Sequence, residues 1–159
     1  MVKVYIGIGT NIEPRFDRME HALLELDALS PVIAKSSIYE TAPVGHIDQP
    51  HFLNAVVMFK TELKPNDLLE QLLQMEAELG RRSRERWHER EIDFDILLYG
   101  NEIVNSDKLR IPHADLHNRK FVLEPLAEIA PEVVHPILGR TIDELNRTLV
   151  DPSQTVVRL

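Results

Sequence analysis

The chain has 159 residues, 43% apolar and 28% charged, with a formal net charge of −8 and no cysteine. That length suits one domain around one core, the acidic balance argues against a nucleic-acid binder, and the lack of cysteine excludes disulfides and thiolate metal sites and fits a cytoplasmic setting. No apolar run approaches a membrane span, and Met1 leads straight into strand-like alternation instead of a signal peptide.

Val2, Val4, Ile6 and Ile8 alternate with Lys3, Tyr5, Gly7 and Gly9, the period of a half-buried strand whose two glycines allow close approach on one face. Phe16, Met19, Leu23 and Leu26 then recur at helical spacing behind Pro14. Val32 to Tyr39 reads as a strand, and the segment from Thr41 to His51, with Pro43, Gly45 and Pro50, reads as a loop. Phe52 to Thr61 is a strongly apolar strand. Pro65 opens a helix with Leu68, Leu69, Leu72, Met75 and Leu79 on one face, and Gly80 ends it. An arginine-rich loop leads to a strand over Ile92 to Tyr99 and a turn at Gly100-Asn101. The tail holds helices around Leu123 to Ile129, stopped by Pro131, and around Ile142 to Leu149. The order strand, helix, strand, strand, helix, strand matches the ferredoxin-like unit. The expected fold is α+β: an antiparallel sheet with both helices on one face, plus a C-terminal helical extension, in a single domain over residues 1–159.

Fold order does not fix function, because many activities share it. The sharpest chemical feature is Ile92-Asp93-Phe94-Asp95-Ile96. On a strand, positions i and i+2 share a face about 7 Å apart, so Ile92, Phe94, Ile96 and Leu98 fill the buried face while Asp93 and Asp95 point together to the other. Two adjacent carboxylates repel each other, and a divalent cation relieves that repulsion. The bland alternative is a solvated edge blunted by charge. Residues 81–90 tilt the balance: five arginines against two glutamates give +3 there and leave −11 for the rest of the chain. Arginine forks bind phosphate oxygens bidentately, whereas a solvated charge run would not need Trp87 in its midst. Phe52 and Asn54 share a face of their strand, and a buried amide there bonds either to neighbouring loop groups or to the edge of a flat heterocycle lying against Phe52. No GxGxxG, Walker-type loop, HxH or HExxH is present, so a bound nucleotide is held without a P-loop and a zinc site is not expected.

Together these stations resemble the 6-hydroxymethyl-7,8-dihydropterin pyrophosphokinase family. The resemblance runs from Ile8-Gly9-Thr10-Asn11 through Tyr39, Thr41, Pro43, Gly45, Phe52-Leu53-Asn54-Ala55, Glu76, Arg86-Trp87, Arg90 and Asp93 to Gly100, and on to Pro112-His113, Asp115, Arg119 to Leu123 and Pro125-Leu126. It implies transfer of pyrophosphate from ATP to the pterin hydroxymethyl group, with AMP as the other product. Two Mg2+ ions would sit on Asp93 and Asp95, with Arg81 and Arg90 as the other catalytic groups. The pterin would be held by Thr41, Pro43, Val44, Gly45, Phe52, Asn54 and Phe121. ATP would meet Glu76, Arg82, Arg86, Trp87, Ile96, Lys108, His113 and Arg119. The partners implied are these two small molecules, with no nucleic acid and no membrane, and the protein is expected to be a cytoplasmic monomer. His88-Glu89 stand where the family commonly has Gly-Pro, and Ala114 follows His113 where an aromatic is common. The competing readings are an RNA-recognition module, which would carry aromatics where Asp93 and Asp95 stand, and a non-catalytic ferredoxin-like ligand-sensing domain, which would need neither the carboxylate pair nor the arginines.

Overall fold

The structure is a computed structural model that describes residues 1–44, 47–80 and 91–159. Its main sheet is built on β1 (Val2–Thr10), which pairs antiparallel with β4 (Phe52–Thr61) in unbroken register from Val2↔Thr61 to Thr10↔Leu53. On its other side β1 pairs with β5 (Asp93–Tyr99), also antiparallel. Beyond β4 come β2 (Ala34–Lys35) and β3 (Tyr39–Thr41), and β3 in turn pairs with β8 (Val156–Arg158). The strand order is therefore β5-β1-β4-β3-β8, with β2 also on β4. A separate short hairpin joins β6 (Val104–Asn105) to β7 (Arg110–Ile111).

One face of the sheet carries the larger core. Val4, Ile6 and Ile8 of β1, Leu53, Ala55, Val57 and Phe59 of β4, and Ile92, Phe94 and Ile96 beside or within β5 meet Met19, Ala22 and Leu26 of α1 (Arg15–Leu29) and Leu68, Leu72 and Met75 of α2 (Pro65–Glu78). Pro65 occupies the first turn of α2, where its missing N–H leaves no intrahelical bond unmade, and Gly80 follows the helix at φ 92°, a left-handed conformation that suits glycine. The α1 stripe runs through positions 19, 22 and 26. Phe16, which the sequence spacing put on this face, is 54% exposed one turn ahead of that stripe, and Leu23 packs at its margin.

The opposite face is covered too, by α3 (Lys120–Ile129) and α4 (Ile142–Thr148), whose Val122, Leu123, Leu126, Ile142 and Leu145 pack on Tyr5, Val56, Leu97 and Leu98. Thr141 caps α4, its hydroxyl accepting from Glu144 N at 3.1 Å. Leu98 is a correction to the sequence reading. The register between β1 and β5 shifts between Tyr5 and Ile6, so Leu97 and Leu98 both face α3 and α4, and Tyr99 returns to the side of Ile96. One extra residue in a strand reverses the alternation beyond it.

The strand expected over Val32 to Tyr39 is split. Between β2 and β3, Ser36 N donates to Val56 O, and the Ser36 hydroxyl accepts from Val56 N at 2.9 Å, so a side chain replaces a ladder carbonyl. Thr41 closes β3 and does not open the loop. The sequence also missed the β6–β7 hairpin and β8, and α3 begins at Lys120 instead of near Leu123. The arginine-rich loop at 81–90 lies outside the described residues.

Candidate functional site

A cavity of about 260 Å³ opens between the sheet and the N-terminal end of α3. Its floor is the face of β1, β4 and β5 turned away from the main core. Because strands alternate, every second residue of these three strands points here. Gly7 and Gly9 leave bare backbone in the middle, flanked by Asn54 and Val56 from β4 and by Asp93 and Asp95 from β5. The register sets these neighbours: Gly9 lies opposite Asn54 on one side and Asp93 on the other, and Gly7 lies opposite Asp95. One side wall is Thr41, Ala42 and Val44, with Phe52 at the corner, and the other is His113, Arg119 and Phe121.

Asn54 is buried, and its Nδ2 donates to Thr41 Oγ1 at 2.6 Å. Its amide is thus held by a neighbouring loop-side hydroxyl while still lining the cavity. The ring of Phe121 has the Arg119 guanidinium 5.6 Å from its centroid, and Arg119 also bonds Asp115 Oδ2 at 3.3 Å. His113 is placed by its backbone N–H, which donates to Leu97 O at 3.0 Å, and by Nδ1, which accepts from Asp115 N at 3.3 Å. Its Nε2 lies 3.8 Å from Asp95 Oδ1. Burial and the Arg119 charge hold the His113 pKa below its ordinary value, against the upward pull of Asp115 and Asp93. His113 is therefore a neutral imidazole near pH 7, with its remaining N–H on the carboxylate side.

Polar residues at the end of β1 tie the flanking segments to the floor. Asn11 Nδ2 donates to Gln49 Oε1 and to Pro50 O, both at 2.9 Å, and the Thr10 hydroxyl donates to Glu91 O just ahead of β5. Arg15 reaches Glu40 Oε2 at 2.9 Å and His51 O at 3.1 Å. In the sequence, Thr10 and Asn11 carry only the family resemblance. Two polar residues, Thr10 and Asn11, closing an apolar Gly-x-Gly strand were the signal available in the sequence.

Glu76 is 4% exposed within the apolar row Leu68, Leu72, Glu76 of α2, and its Oε2 accepts from the backbone N–H of Phe94 at 2.7 Å. It holds the peptide between the two aspartates from beneath the sheet and does not line the cavity. Ile96 sits in the main core, Lys108 is exposed between β6 and β7, and Pro43 is buried between the lining residues Ala42 and Val44. Gly45, Arg81, Arg82, Arg86, Trp87 and Arg90 fall outside the described residues. Among the described residues no group of three His, Asp or Glu side chains could cage a metal ion alone. Two carboxylates as hard oxygen donors nevertheless suit Mg2+, which keeps several waters and completes its shell with phosphate oxygens.

Residues 5–131 match the family described as 7,8-dihydro-6-hydroxymethylpterin-pyrophosphokinase. The 2-amino-4-hydroxy-6-hydroxymethyldihydropteridine pyrophosphokinase of Haemophilus influenzae is 43% identical over 153 residues, covering 95% of both chains. The Bacillus subtilis protein of the same name is 47% identical over 131 residues, covering 81% of this chain and 78% of its own. Among solved structures, the wild-type Plasmodium falciparum HPPK-DHPS with STZ-DHP superposes with a TM-score of 0.73 at 17% identity. That alignment covers 92% of this chain but 43% of the larger one, a likeness of fold.

Proposed function

This chain belongs to the 7,8-dihydro-6-hydroxymethylpterin-pyrophosphokinase family, an enzyme family of folate synthesis, and we propose how its cavity performs that transfer. It is a pyrophosphokinase with ATP as co-substrate. The observation that carries the reading is the composition of one floor: a bare glycine patch, a buried amide and two aspartates on adjacent strands of one sheet face.

The pterin ring lies on Gly9 between the Phe52 and Phe121 rings, with its edge on Asn54 and on the segment 41–45. ATP enters from the carboxylate side, its phosphates toward Arg119 and the arginines of 81–90, with His113, Trp87 and Lys108 around the nucleoside, while Ile96 supports β5 from the main core. Asp93 and Asp95 would hold two Mg2+ ions, which supply charge neutralisation for the polyphosphate when bound. The chain's own residues position the reactants. The hydroxymethyl oxygen forms its bond to the β-phosphorus, the bond from that phosphorus to the α–β bridging oxygen breaks, AMP leaves with that oxygen, and the hydroxyl proton passes to water. Such a transfer depends chiefly on alignment and electrostatic stabilisation, so no general base is required among the lining residues.

We read the sheet with α1 and α2 as a ferredoxin-like core and residues after 110 as its C-terminal extension, in a cytoplasmic monomer. Among the described residues no helix is long and apolar enough to cross a membrane. Mass analysis of a reaction with Mg-ATP and 6-hydroxymethyl-7,8-dihydropterin tests the proposal. AMP and pterin diphosphate are expected. ADP with a pterin monophosphate would refute the pyrophosphoryl step, and no consumption of ATP would return the chain to the ligand-sensing alternative.

A further inference from the structure

Residues 151–158 form a strap that joins the two segments carrying the cavity walls, and they lie beyond the stretch 5–131 that matches the family. Two consecutive residues touch the two opposing walls. The Gln154 side chain holds the start of α3: its Oε1 accepts from Lys120 N at 2.8 Å and its Nε2 donates to Asn118 O at 3.0 Å. These bonds bracket Arg119 and immediately precede Phe121, both lining the far wall. The next carbonyl, Thr155 O, accepts from Ala42 N at 3.1 Å, and β8 then pairs Val156 with Thr41. Thr41 and Ala42 line the near wall.

The strap is preorganised. Gln154 N donates to Asp151 O, Gln154 Nε2 also donates to Asp151 Oδ2 at 3.1 Å, and Asp151 Oδ1 accepts from Ser153 N and Oγ. The α3 terminus needs such an acceptor, because Arg119 at its N-cap makes no side-chain cap bond and the first helical N–H groups have no intrahelical partner. Gln154 supplies from a distant segment what a serine or aspartate cap would supply locally.

We infer that Gln154 is a positioning residue that sets the gap between the two cavity walls and thereby the affinity for the planar substrate. The inference rests on the pyrophosphokinase reading for the identity of that substrate. Its mechanical part, coupling of Ala42 to Lys120, does not. Gln154→Ala removes the side-chain link from the strap to the N-terminal end of α3, leaves the Arg158–Glu128 and Tyr39–Glu128 contacts farther along the helix intact, and changes no cavity-lining side chain. Gln154→Glu keeps an oxygen acceptor for Lys120 N near the positive end of α3 and loses the donor.

The experiment has two parts on the full chain. In free protein, amide hydrogen exchange should quicken about tenfold in Gln154→Ala at both Lys120 and Ala42, the fold expected from one lost hydrogen bond. Acceleration at Lys120 alone overturns the coupling whatever the substrate is. In titrations, the dissociation constant for 6-hydroxymethyl-7,8-dihydropterin should rise about tenfold in Gln154→Ala, with that for a non-hydrolysable ATP analogue changing less than about threefold and Gln154→Glu recovering most of the loss. Unchanged pterin affinity, or equal losses for both ligands with a lowered melting temperature, overturns the positioning role. Wild-type protein that binds no pterin would instead refute the functional reading, and the exchange result would still decide the strap.

Discussion

Replacing Gly9 by alanine tests whether the flat floor is the pterin seat. A Cβ at position 9 would come to 2.9 Å from Asn54 Oδ1 and 3.6 Å from Phe52 Cδ1. The first contact is closer than a methyl group tolerates, so the Asn54 amide must move by about half an ångström or rotate. It is not free to do so, because its Nδ2 is bonded to Thr41 Oγ1 at 2.6 Å in a buried setting. Overpacking of this kind costs about 1–3 kcal/mol, and reduced freedom of the unfolded chain returns about 0.4–1 kcal/mol. A net loss of ~0.5–2 kcal/mol follows, which lowers the melting temperature by ~2–6 °C in a chain of this size. Binding suffers more. The heterocycle loses its polar partner and meets a methyl group where it should lie flat; forfeiting one or two buried hydrogen bonds, at ~1–3 kcal/mol, weakens pterin about 5- to 150-fold.

The assay is a fluorescence or calorimetric titration of pterin against Gly9→Ala, beside a thermal melt. Gly7→Ala is the comparison on stability: its Cβ would meet only the Leu97 side chain, at 3.4–3.6 Å, ordinary contact with a side chain that can adjust. Its melting temperature should match or slightly exceed that of the wild type. If Gly9→Ala binds pterin within twofold of the wild type, the ring does not lie on this floor and the role given to Asn54 fails with it.

Asp93→Ala or Asp95→Ala should lower turnover by more than about 100-fold while leaving the melting temperature equal or higher, since each removes a like-charge neighbour; near-normal turnover at low Mg2+ would end the metal assignment. Glu76→Ala should cost about 1–3 kcal/mol by leaving Phe94 N buried without its acceptor, and Glu76→Gln should cost much less; equal melting curves for the two variants would show that this bond does not matter. His135 supplies a pH signature. It is buried, its Nδ1 accepts from Ile137 N and Leu138 N, and burial followed by the His117 charge lowers its pKa below the ordinary ~6.5. The unfolded chain therefore takes up the proton first, so His135 stabilises the fold above pH ~6.5 and that contribution is lost as pH falls through the folded value. Melting temperature plotted from pH 8 to 5 should fall less steeply for His135→Asn than for the wild type, and parallel curves would refute the assignment.

Periodicity was enough to place β1, β4, α2 and β5, because each combines a long run with one buried face. Phe52–Thr61 is bounded in the structure as the sequence bounds it. The bulge at Leu97 was not legible, since Leu97 and Leu98 are both apolar and either could have been the inward one. β8 was missed because three residues carry no period, and it owes its pairing to β3, more than a hundred residues away. The split of the second strand depends on one serine hydroxyl standing in for a carbonyl, a substitution that only the partner Val56 N reveals. At the site, Asp93, Asp95 and Asn54 stood out because each is an unusual residue type for a strand, and Phe52 because it shares a face with Asn54. Ala42 did not, because an alanine gives no chemical signal. The role of Glu76 beneath Phe94 needed the packing of α2 on β5, which no local pattern encodes.

The floor and the walls of the cavity are built under different constraints, and this bears on how the site can vary. Each floor residue alternates with a core residue on the same strand: Gly9 with Ile8, Asn54 with Leu53 and Ala55, Asp93 with Ile92 and Phe94. These core neighbours are at most 6% exposed, so the floor cannot shift without disturbing close-packed side chains from α1 and α2. The walls are backed less completely: the buried core residues of α3 begin only at Val122, and β3 is three residues long. Thr41 and Ala42 depend on one short strand pairing and the strap, and Arg119 and Phe121 sit at a helix start held by Gln154. A reaction that needs two carboxylates fixed to within a fraction of an ångström is therefore assigned to the rigid part, while ligand entry, which requires the gap to open and close, falls to the part secured by a few exchangeable hydrogen bonds. Substitutions in the floor should act mainly on turnover and on discrimination among heterocycles, and substitutions in the strap mainly on the rates of binding and release. A strap variant that alters release while leaving single-turnover chemistry unchanged would separate the two layers directly.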